Sequence, residues 1–222
     1  MATEPRERMI EVRRTARWYD AGGAPHEADE DWELWYVLHG YGERASAVAK
    51  KLAFLATPAR RVVVPEALSR FYLRGTAGDV GASWMTREAR EGEIEDYVAY
   101  LDRVHATVLA ESADRTRAPR VTVLGFSQGA ATACRWIAYG DVVPERLVLW
   151  GGAVPPDVDI EGDRDDFARL EYVNGDADPY VTGARIEEER ARVLAAGLEW
   201  RARTFAGGHA LDEDALRMLA SR

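Results

Sequence analysis

A serine lies between two glycines in the pentapeptide GFSQG, at residues 125–129. The apolar run at 121–124 precedes it and a small-residue helical pattern follows, so Ser127 falls on a predicted turn between a strand and a helix. Such a turn has strained backbone angles, and side chains two positions before or after the serine would collide with the strand and the helix. The pattern therefore predicts an exposed serine nucleophile, supported by glycines.

A serine hydroxyl needs a base, and the chain has four histidines. His26 lies in an acidic turn flanked by glycine and proline, which predicts a surface position. His105 lies near the apolar stripe of a predicted helix, which is typical of a core or boundary residue. His39 ends a buried strand and is expected to fix the loop that follows. His209 follows the last predicted strand in the run AGGHA, whose glycines allow a sharp loop, and we assign it as the general base.

The third catalytic group should be a carboxylate that follows an earlier strand. Residues 171–179 (EYVNGDADP) offer two candidates. We prefer Asp178 as the partner of His209, because Asp178 precedes Pro179 and proline favours an extended turn before it. Asp176 is expected to cap the turn through its own backbone. Spacing by itself leaves Asp176 as an alternative.

An acyl-transfer site also needs two donors for the oxyanion that forms on the substrate. The backbone N–H of Gln128, next to the serine, lies at a predicted helix N-terminus, where negative charge is favoured. We expect the second donor in the loop at 39–42 (HGYG), which follows the apolar run at 34–38. The glycines on either side of Tyr41 let its N–H approach the substrate closely, so Tyr41 is the candidate.

These residues must be positioned by a regular frame, and the chain alternates strand and helix patterns. The predicted strands lie at 34–38, 61–65, 121–124, 147–150, 170–173 and 200–205, and the predicted helices at 43–56, 93–110, 130–140, 184–196 and 211–220. Continuous apolar strands indicate burial on both faces, and alternation with helices indicates an α/β protein with a mostly parallel central sheet covered on both faces. Residues 11–19, with the turn at 22–23, are expected to add an antiparallel hairpin at one edge.

The chain is predicted to form a single domain over residues 1–222, since no linker rich in Pro, Gly or Ser divides it. Only residues 153–169 separate two late strands, which is too short for a folded cap domain. We therefore expect an open pocket whose walls are loops.

Four motifs in this order resemble those of the phospholipase/carboxylesterase family, which includes the acyl-protein thioesterases. They are LHGYGE at 38–43, GFSQGAA at 125–131, VNGDADPYV at 173–181 and GGHAL at 207–211. The resemblance implies an α/β-hydrolase fold without a cap domain, which cleaves carboxylic esters or thioesters without a cofactor. In the family the catalytic acid matches the second aspartate of the GDADP run, Asp178. The order serine, aspartate, histidine is that of the α/β-hydrolases.

The chain also departs from the thioesterases. Tyr41 stands where they usually carry leucine, and residues 71–93 match them only loosely. We interpret the aromatic residues of 71–93 as a wall of the acyl or alcohol site, with ordinary core residues as the alternative. The candidate substrate-binding residues are Gly40, Phe71, Tyr72, Trp84, Met85 and Tyr180. The departures favour a serine carboxylesterase for small or medium acyl substrates over an acyl-protein thioesterase or lysophospholipase.

Composition excludes several other classes. The net charge of −9, from 38 acidic and 29 basic residues, disfavours nucleic acid and anionic membranes as partners. One cysteine excludes an intramolecular disulfide, and we expect no metal site, no membrane span and a cytoplasmic location. An acyltransferase of the same fold, a non-catalytic ligand-binding protein and a homodimer stay open as alternatives, although the presence of all three triad residues disfavours the non-catalytic protein.

Overall fold

The computed structural model of this chain describes residues 6–23, 31–115, 117–162, 167 and 169–221. The strands are β1 (Trp18–Gly22), β2 (Glu33–Leu38), β3 (Arg60–Pro65), β4 (Ser69–Tyr72), β5 (Val80–Ser83), β6 (Arg120–Phe126), β7 (Arg146–Trp150), β8 (Leu170–Gly175) and β9 (Ala202–Phe205). The helices are α1 (Ala45–Leu52), α2 (Arg90–Ala110), α3 (Gln128–Tyr139), α4 (Gly183–Ala195) and α5 (Glu213–Ala220), with a 3₁₀ turn at Ala53–Leu55.

Seven of these strands form one sheet, in the order β1-β3-β2-β6-β7-β8-β9. All neighbouring pairs are parallel except β1 and β3, which are antiparallel at one edge. Every residue of β8 is buried, as are nearly all those of β2, β6 and β7. Apolar residues of α2, α3 and α4 bury one face of the sheet, and those of α1 and α5 bury the other. The sheet is therefore covered on both faces, as the continuous apolar strands predict.

An antiparallel strand lies at one edge of the sheet, but it is not the hairpin strand expected at residues 11–19. Residues 6–17 form neither helix nor strand, and β1 pairs with β3. Residues 24–30, which would follow the predicted turn, lie outside the described residues. Gly22 has a positive φ of 77°, and an added Cβ would lie 2.3 Å from the Arg60 carbonyl oxygen. The glycines that resemble a hairpin turn thus allow the end of β1 to pack against the backbone at the start of β3.

A β-hairpin that the sequence does not predict spans residues 69–83 and overlaps the segment at 71–93. Strands β4 and β5 pair as a separate two-stranded antiparallel sheet. Both strands are only four residues long, and β5 contains Gly81, so neither has a strong strand pattern. Their order depends on contacts made outside the segment, since two short strands are marginal by themselves.

The element bounds otherwise differ from the predicted ones by a few residues at the ends. The helix expected at 43–56, for example, ends at Leu52 and continues as the 3₁₀ turn. His26 and residues 163–166 and 168 of the predicted uncapped connection lie outside the described residues.

Because the parallel strands run in one direction, their carboxyl ends meet at one edge of the sheet. The loops that follow β2, β6, β7, β8 and β9 begin at residues 39, 127, 151, 176 and 206. Each predicted catalytic and oxyanion residue lies in one of these loops or at its junction with a helix, which is where open α/β sheets bind their ligands.

A half-buried ion pair ties the connection after β7 to helix α3. Arg135 is 6% exposed, and its Nε and Nη2 groups donate to the two carboxylate oxygens of Asp157 at 2.8 and 2.9 Å. Arg90, in the first turn of α2, reaches the same carboxylate at 2.7 Å. The Arg135 hydrogen bonds hold the pKa of the Asp157 carboxyl well below its ordinary value. This cluster therefore joins α2, α3 and the β7 connection.

Replacing Asp157 with alanine should destabilise the fold strongly, because it leaves the Arg135 charge buried without its partner. We expect a loss of about 3 kcal/mol in urea unfolding at pH 7. Since the aspartate pKa is lowered in the folded state, the contribution is present above about pH 4 and declines as the pH falls further.

Glu145→Ala is the matched control for this loss, because it breaks an exposed pair with Arg169, whose side chains are 40% and 63% exposed. It should cost less than about 1 kcal/mol. Equal effects of the two substitutions would contradict a structural role for the Asp157 cluster.

Candidate active site

Ser127 lies in the strained turn between β6 and α3, with φ 54° and ψ −116°. Its N–H donates to the Trp150 carbonyl oxygen at 2.8 Å, which ties the turn to β7. An added Cβ at Gly125 would lie 2.2 Å from the Gly129 carbonyl oxygen, and one at Gly129 would lie 2.1 Å from the Leu38 carbonyl oxygen. Both glycines are thus required by close backbone contacts, as the pentapeptide predicts.

Three side chains from three different loops lie in hydrogen-bonding contact. The Ser127 Oγ is 2.9 Å from His209 Nε2, and His209 Nδ1 is 2.7 Å from Asp178 Oδ2. The Asp178 side chain is 1% exposed and that of His209 is 17% exposed. With the proton on Nδ1, the imidazole donates to Asp178 and leaves Nε2 free to accept the serine proton. The predicted nucleophile, base and acid are therefore brought together in a single row.

The two candidate aspartates have different contacts. Asp178 uses its second oxygen, Oδ1, to accept the N–H groups of Tyr180 and Val181 at 2.8 and 3.3 Å, which fixes the carboxylate plane. Asp176 is exposed, and its Oδ1 accepts the Gly207 N–H at 2.9 Å. The expectation that Asp176 caps a turn through its own backbone is wrong. It holds the loop that carries the histidine.

The loop before His209 is held tightly against the end of β8. An added Cβ at Gly175 would lie 2.3 Å from the Gly207 carbonyl oxygen, and the same oxygen accepts the Ala177 N–H at 2.9 Å. On the other side of the histidine, the Trp150 indole N–H donates to the Ala210 carbonyl oxygen at 2.8 Å. These contacts restrict the positions available to the imidazole.

Two aromatic rings flank the imidazole of His209. The centroid of the Phe126 ring lies 4.9 Å away at a tilt of 35°, and that of Tyr180 lies 4.7 Å away, edge to face. Tyr180 is 63% exposed, so its ring also forms part of the rim of the site.

Gly151 is a residue of the site that the sequence analysis missed. It follows β7 with a positive φ of 60°, and an added Cβ would lie 2.9 Å from His209 Cε1 and 3.4 Å from Asp178 Oδ2. The backbone at this position therefore touches both side chains. The signal in the sequence is the glycine pair that ends the apolar run at 147–152, since a strand that stops at glycines at this edge allows such an approach.

The two candidate oxyanion donors lie in the loops that the sequence predicts. Among the hydrogen bonds of the described residues, neither the Tyr41 N–H nor the Gln128 N–H has a backbone or side-chain acceptor. The Gly40 N–H donates to Glu43 Oε2 at 2.7 Å and the Gly42 N–H donates to the Ala82 carbonyl oxygen at 2.9 Å, so the backbone on both sides of Tyr41 is fixed. The arrangement leaves these two groups free to bind an acceptor from outside the chain.

His39 and His105 make structural contacts and are not part of the row of Ser127, His209 and Asp178. His39 is fully buried, its Nε2 accepts the Ala67 N–H at 3.1 Å, and its Nδ1 lies 2.8 Å from the Gly40 carbonyl oxygen. Burial lowers its pKa, so the ring stays neutral and fixes the loop, as expected. His105 Nδ1 lies 2.8 Å from the Tyr36 hydroxyl, at the boundary of the core.

The aromatic residues expected to form a wall divide into two groups. Phe71 stacks on Tyr41 with ring centroids 5.2 Å apart, and Tyr72 is half exposed beside it on β4. Trp84 is 1% exposed and belongs to the core, and Met85 is partly buried and packs against that core. Gly40 is buried below the loop, where an added Cβ would lie 3.1 Å from the Phe126 ring.

The described residues contain no group of three or more His, Cys, Asp or Glu side chains that could hold a metal ion. They also contain no helix with the length and apolarity needed to cross a membrane.

Comparison with known proteins identifies the family. The family model for the phospholipases/carboxylesterases matches residues 27–221, and the chain belongs to that family. No curated protein matches the chain significantly.

Solved structures with the same fold cover nearly the whole chain. Zea mays acyl-protein thioesterase 2 is 18% identical with a TM-score of 0.67, over 93% of this chain and 97% of that one. The Bacillus cereus carboxylesterase is 16% identical with a TM-score of 0.64, over 93% and 92%. Esterase PE8 is 20% identical with a TM-score of 0.62, over 95% and 97%. These likenesses confirm the predicted α/β-hydrolase fold, and no separate cap domain is evident in the described residues.

Adding a methyl group at Gly151 should impair ester hydrolysis, because the new Cβ displaces the His209 ring. We expect Gly151→Ala to lower kcat/KM for p-nitrophenyl acetate by about 100-fold, the cost typical of a misplacement of about 1 Å. Gly183→Ala is the control, since no atom lies within 4 Å of its added Cβ. A folded Gly151→Ala protein with the activity of the Gly183→Ala control would show that the backbone at 151 does not constrain the site.

Proposed function

We propose that this protein is a serine carboxylesterase that hydrolyses carboxylic ester bonds of small or medium acyl substrates, and thioesters of similar size, through an acyl-enzyme. The observation that carries the proposal is the row of contacts from Ser127 through His209 to the buried Asp178. Membership of the phospholipase/carboxylesterase family supports the type of bond that is cleaved.

In the first half of the reaction, His209 Nε2 takes the Ser127 proton as Oγ attacks the acyl carbonyl carbon. The imidazole becomes positively charged, and the Asp178 carboxylate stabilises that charge and holds the ring orientation. The other oxygen of Asp178 accepts two backbone N–H groups, and these bonds keep the carboxylate in place beside the imidazole. The carbonyl oxygen gains negative charge and accepts the Tyr41 and Gln128 N–H groups.

The tetrahedral intermediate then collapses. The bond from the acyl carbon to the alcohol or thiol breaks, and the leaving group takes the proton from His209. In the second half, His209 removes a proton from water, which attacks the acyl-enzyme, and the acid is released as Ser127 recovers its proton. No step needs a redox change, so the chain's own residues suffice.

One feature favours a small or medium acyl group. The Tyr41 ring stacks on Phe71 beside the proposed oxyanion loop, and this places bulk where the thioesterases usually carry leucine. Acyl-protein thioesterase or lysophospholipase activity is the second candidate, because one of the similar structures is an acyl-protein thioesterase. A chain-length series of p-nitrophenyl esters distinguishes the two: a maximum at acetate or butyrate supports the first, and a maximum at palmitate supports the second.

A fluorophosphonate should label the protein once, at Ser127, because only a serine that is both exposed to the reagent and activated by a base reacts readily. Intact mass and peptide mapping measure the label, and Ser127→Ala should abolish both labelling and ester hydrolysis. Persistent labelling of the Ser127→Ala protein would overturn the assignment of the nucleophile.

Replacing Asp178 with asparagine should lower kcat by about 10,000-fold, since the amide no longer holds the histidine in its working tautomer. Asp176→Asn is a matched control, as it changes the neighbouring carboxylate but keeps an oxygen that can accept the Gly207 N–H. We expect Asp176→Asn to retain most of the activity in steady-state assays. The reverse pattern would make Asp176 the catalytic acid.

A further inference from the structure

The end of β5 and the two residues that follow it are hydrogen-bonded to both segments that carry the proposed oxyanion donors. On one side, β5 pairs with the loop that carries Tyr41. The Gly42 N–H donates to the Ala82 carbonyl oxygen at 2.9 Å, and the Ala82 N–H donates to the Glu43 carbonyl oxygen at 3.1 Å. An added Cβ at Gly81 would lie 2.4 Å from the Gly42 carbonyl oxygen, so the two backbones are in direct contact.

On the other side, the same segment is bound by the side chain of Gln128. Its Oε1 accepts the Trp84 N–H at 3.1 Å, and its Nε2 donates to the Met85 carbonyl oxygen at 2.7 Å. Ser83, which is 2% exposed, completes this side through its hydroxyl, which donates to the Met85 carbonyl oxygen at 2.9 Å. The residue whose N–H is one proposed donor thus uses its amide to hold the chain at 83–85.

The Trp84 side chain completes the connection between this segment and the loop after β2. Its indole N–H donates to the His39 carbonyl oxygen at 2.8 Å, two residues before Tyr41. The indole is 1% exposed, and its ring lies 5.2 Å from that of His39 and 6.2 Å from that of Tyr97. Through its own N–H and its side chain, Trp84 is therefore bonded at once to the turn at the nucleophile and to the loop after β2.

We infer that Trp84 and the Gln128 side-chain amide are positioning residues that set the spacing between the two oxyanion donors. The segment at 82–85 is the strut between those donors, which belong to loops far apart in the sequence. This inference rests on the proposed function, since it assumes that the Tyr41 and Gln128 N–H groups bind the oxyanion. It assigns Trp84, expected to line the acyl or alcohol site, to the support of the loops instead.

The spacing matters because donors stabilise an oxyanion only when both lie about 2.7–3.1 Å from it. The contact of Gly129 with the Leu38 backbone already fixes how closely the two loops approach. The peptide that carries the Tyr41 N–H is oriented within its own loop, because the Gly40 carbonyl oxygen accepts the Glu43 N–H at 3.2 Å and lies 2.8 Å from His39 Nδ1. The bonds to Ala82 and to the His39 carbonyl oxygen join that loop to the strut, and Gln128 binds the strut from the other side.

Two substitutions test the strut separately. Gln128→Met keeps the length of the side chain and the backbone N–H but removes all side-chain hydrogen bonds to the strut, including the one that Nε2 donates to the Ser83 hydroxyl at 3.2 Å. Trp84→Phe removes the indole N–H and keeps most of the apolar contact. The matched control is Trp136→Phe, because Trp136 is also fully buried and its indole N–H donates to Asp102 Oδ1 at 2.8 Å, away from the strut.

For each protein, kcat/KM and KM are measured with p-nitrophenyl acetate, and Ki is measured for a trifluoromethyl ketone that forms a tetrahedral oxyanion. The pH at which activity declines in acid and the Tm are measured as well. We expect Gln128→Met and Trp84→Phe to lower kcat/KM by about 10- to 100-fold and to raise Ki by a similar factor, because the ketone resembles the transition state. The acid limb of the pH profile should not move, since His209 and Asp178 are untouched.

Trp136→Phe should lower Tm by a similar amount while kcat/KM and Ki stay near the wild-type values. The inference is overturned if the two strut variants retain wild-type kcat/KM and Ki, or if their losses are matched by the Trp136→Phe control. A wild-type protein that neither hydrolyses the ester nor reacts with a fluorophosphonate overturns the proposed function itself, which is a separate outcome.

Discussion

The strained backbone at Ser127 is the constraint on which the rest of the structure depends. A non-glycine residue with a positive φ costs free energy, and it persists only where the surroundings leave the chain no alternative. Here the surroundings are backbone atoms: Gly125 lies against Gly129, Gly129 lies against the end of β2, and the Ser127 N–H is bound by β7. The central strands must therefore be in register before the serine can be held above the sheet.

The parts of the site are held together by contacts between loops more than by contacts between strands. The loop after β8 binds the histidine loop through Asp176 and Ala177, and Trp150 binds the same loop from β7. On the opposite side, the strut at 82–85 joins the oxyanion loop to α3. Each of these contacts uses a backbone group as donor or acceptor, so losing one affects the geometry of the loops as well as the stability. The same hydrogen bonds thus keep the polar backbone satisfied and orient the groups proposed to react.

Much of this arrangement could be predicted from local patterns. The parallel strands are buried on both faces, so each appears in the sequence as a continuous apolar run that can be recognised. The strand–turn–helix pattern around Ser127 identifies the turn that carries the serine. The β4–β5 hairpin could not be predicted in this way, because its four-residue strands are ordered by contacts with the oxyanion loop. Trp84 could not be assigned from the sequence for a related reason: an aromatic residue among glycines is compatible with a pocket wall and with the core, and its burial and its hydrogen bond to His39 appear only in the tertiary structure.

The sequence by itself determined the residue types, their order and the glycines that let backbones approach, because these properties depend on covalent geometry and on short-range sterics. Tertiary structure decided which aspartate faces the histidine, since Asp176 and Asp178 differ only in the direction in which the turn after β8 presents them. It also decided the role of Gly151 and the connection between residues 41 and 128. Both depend on distances between segments that are remote along the chain, and no local pattern encodes such distances.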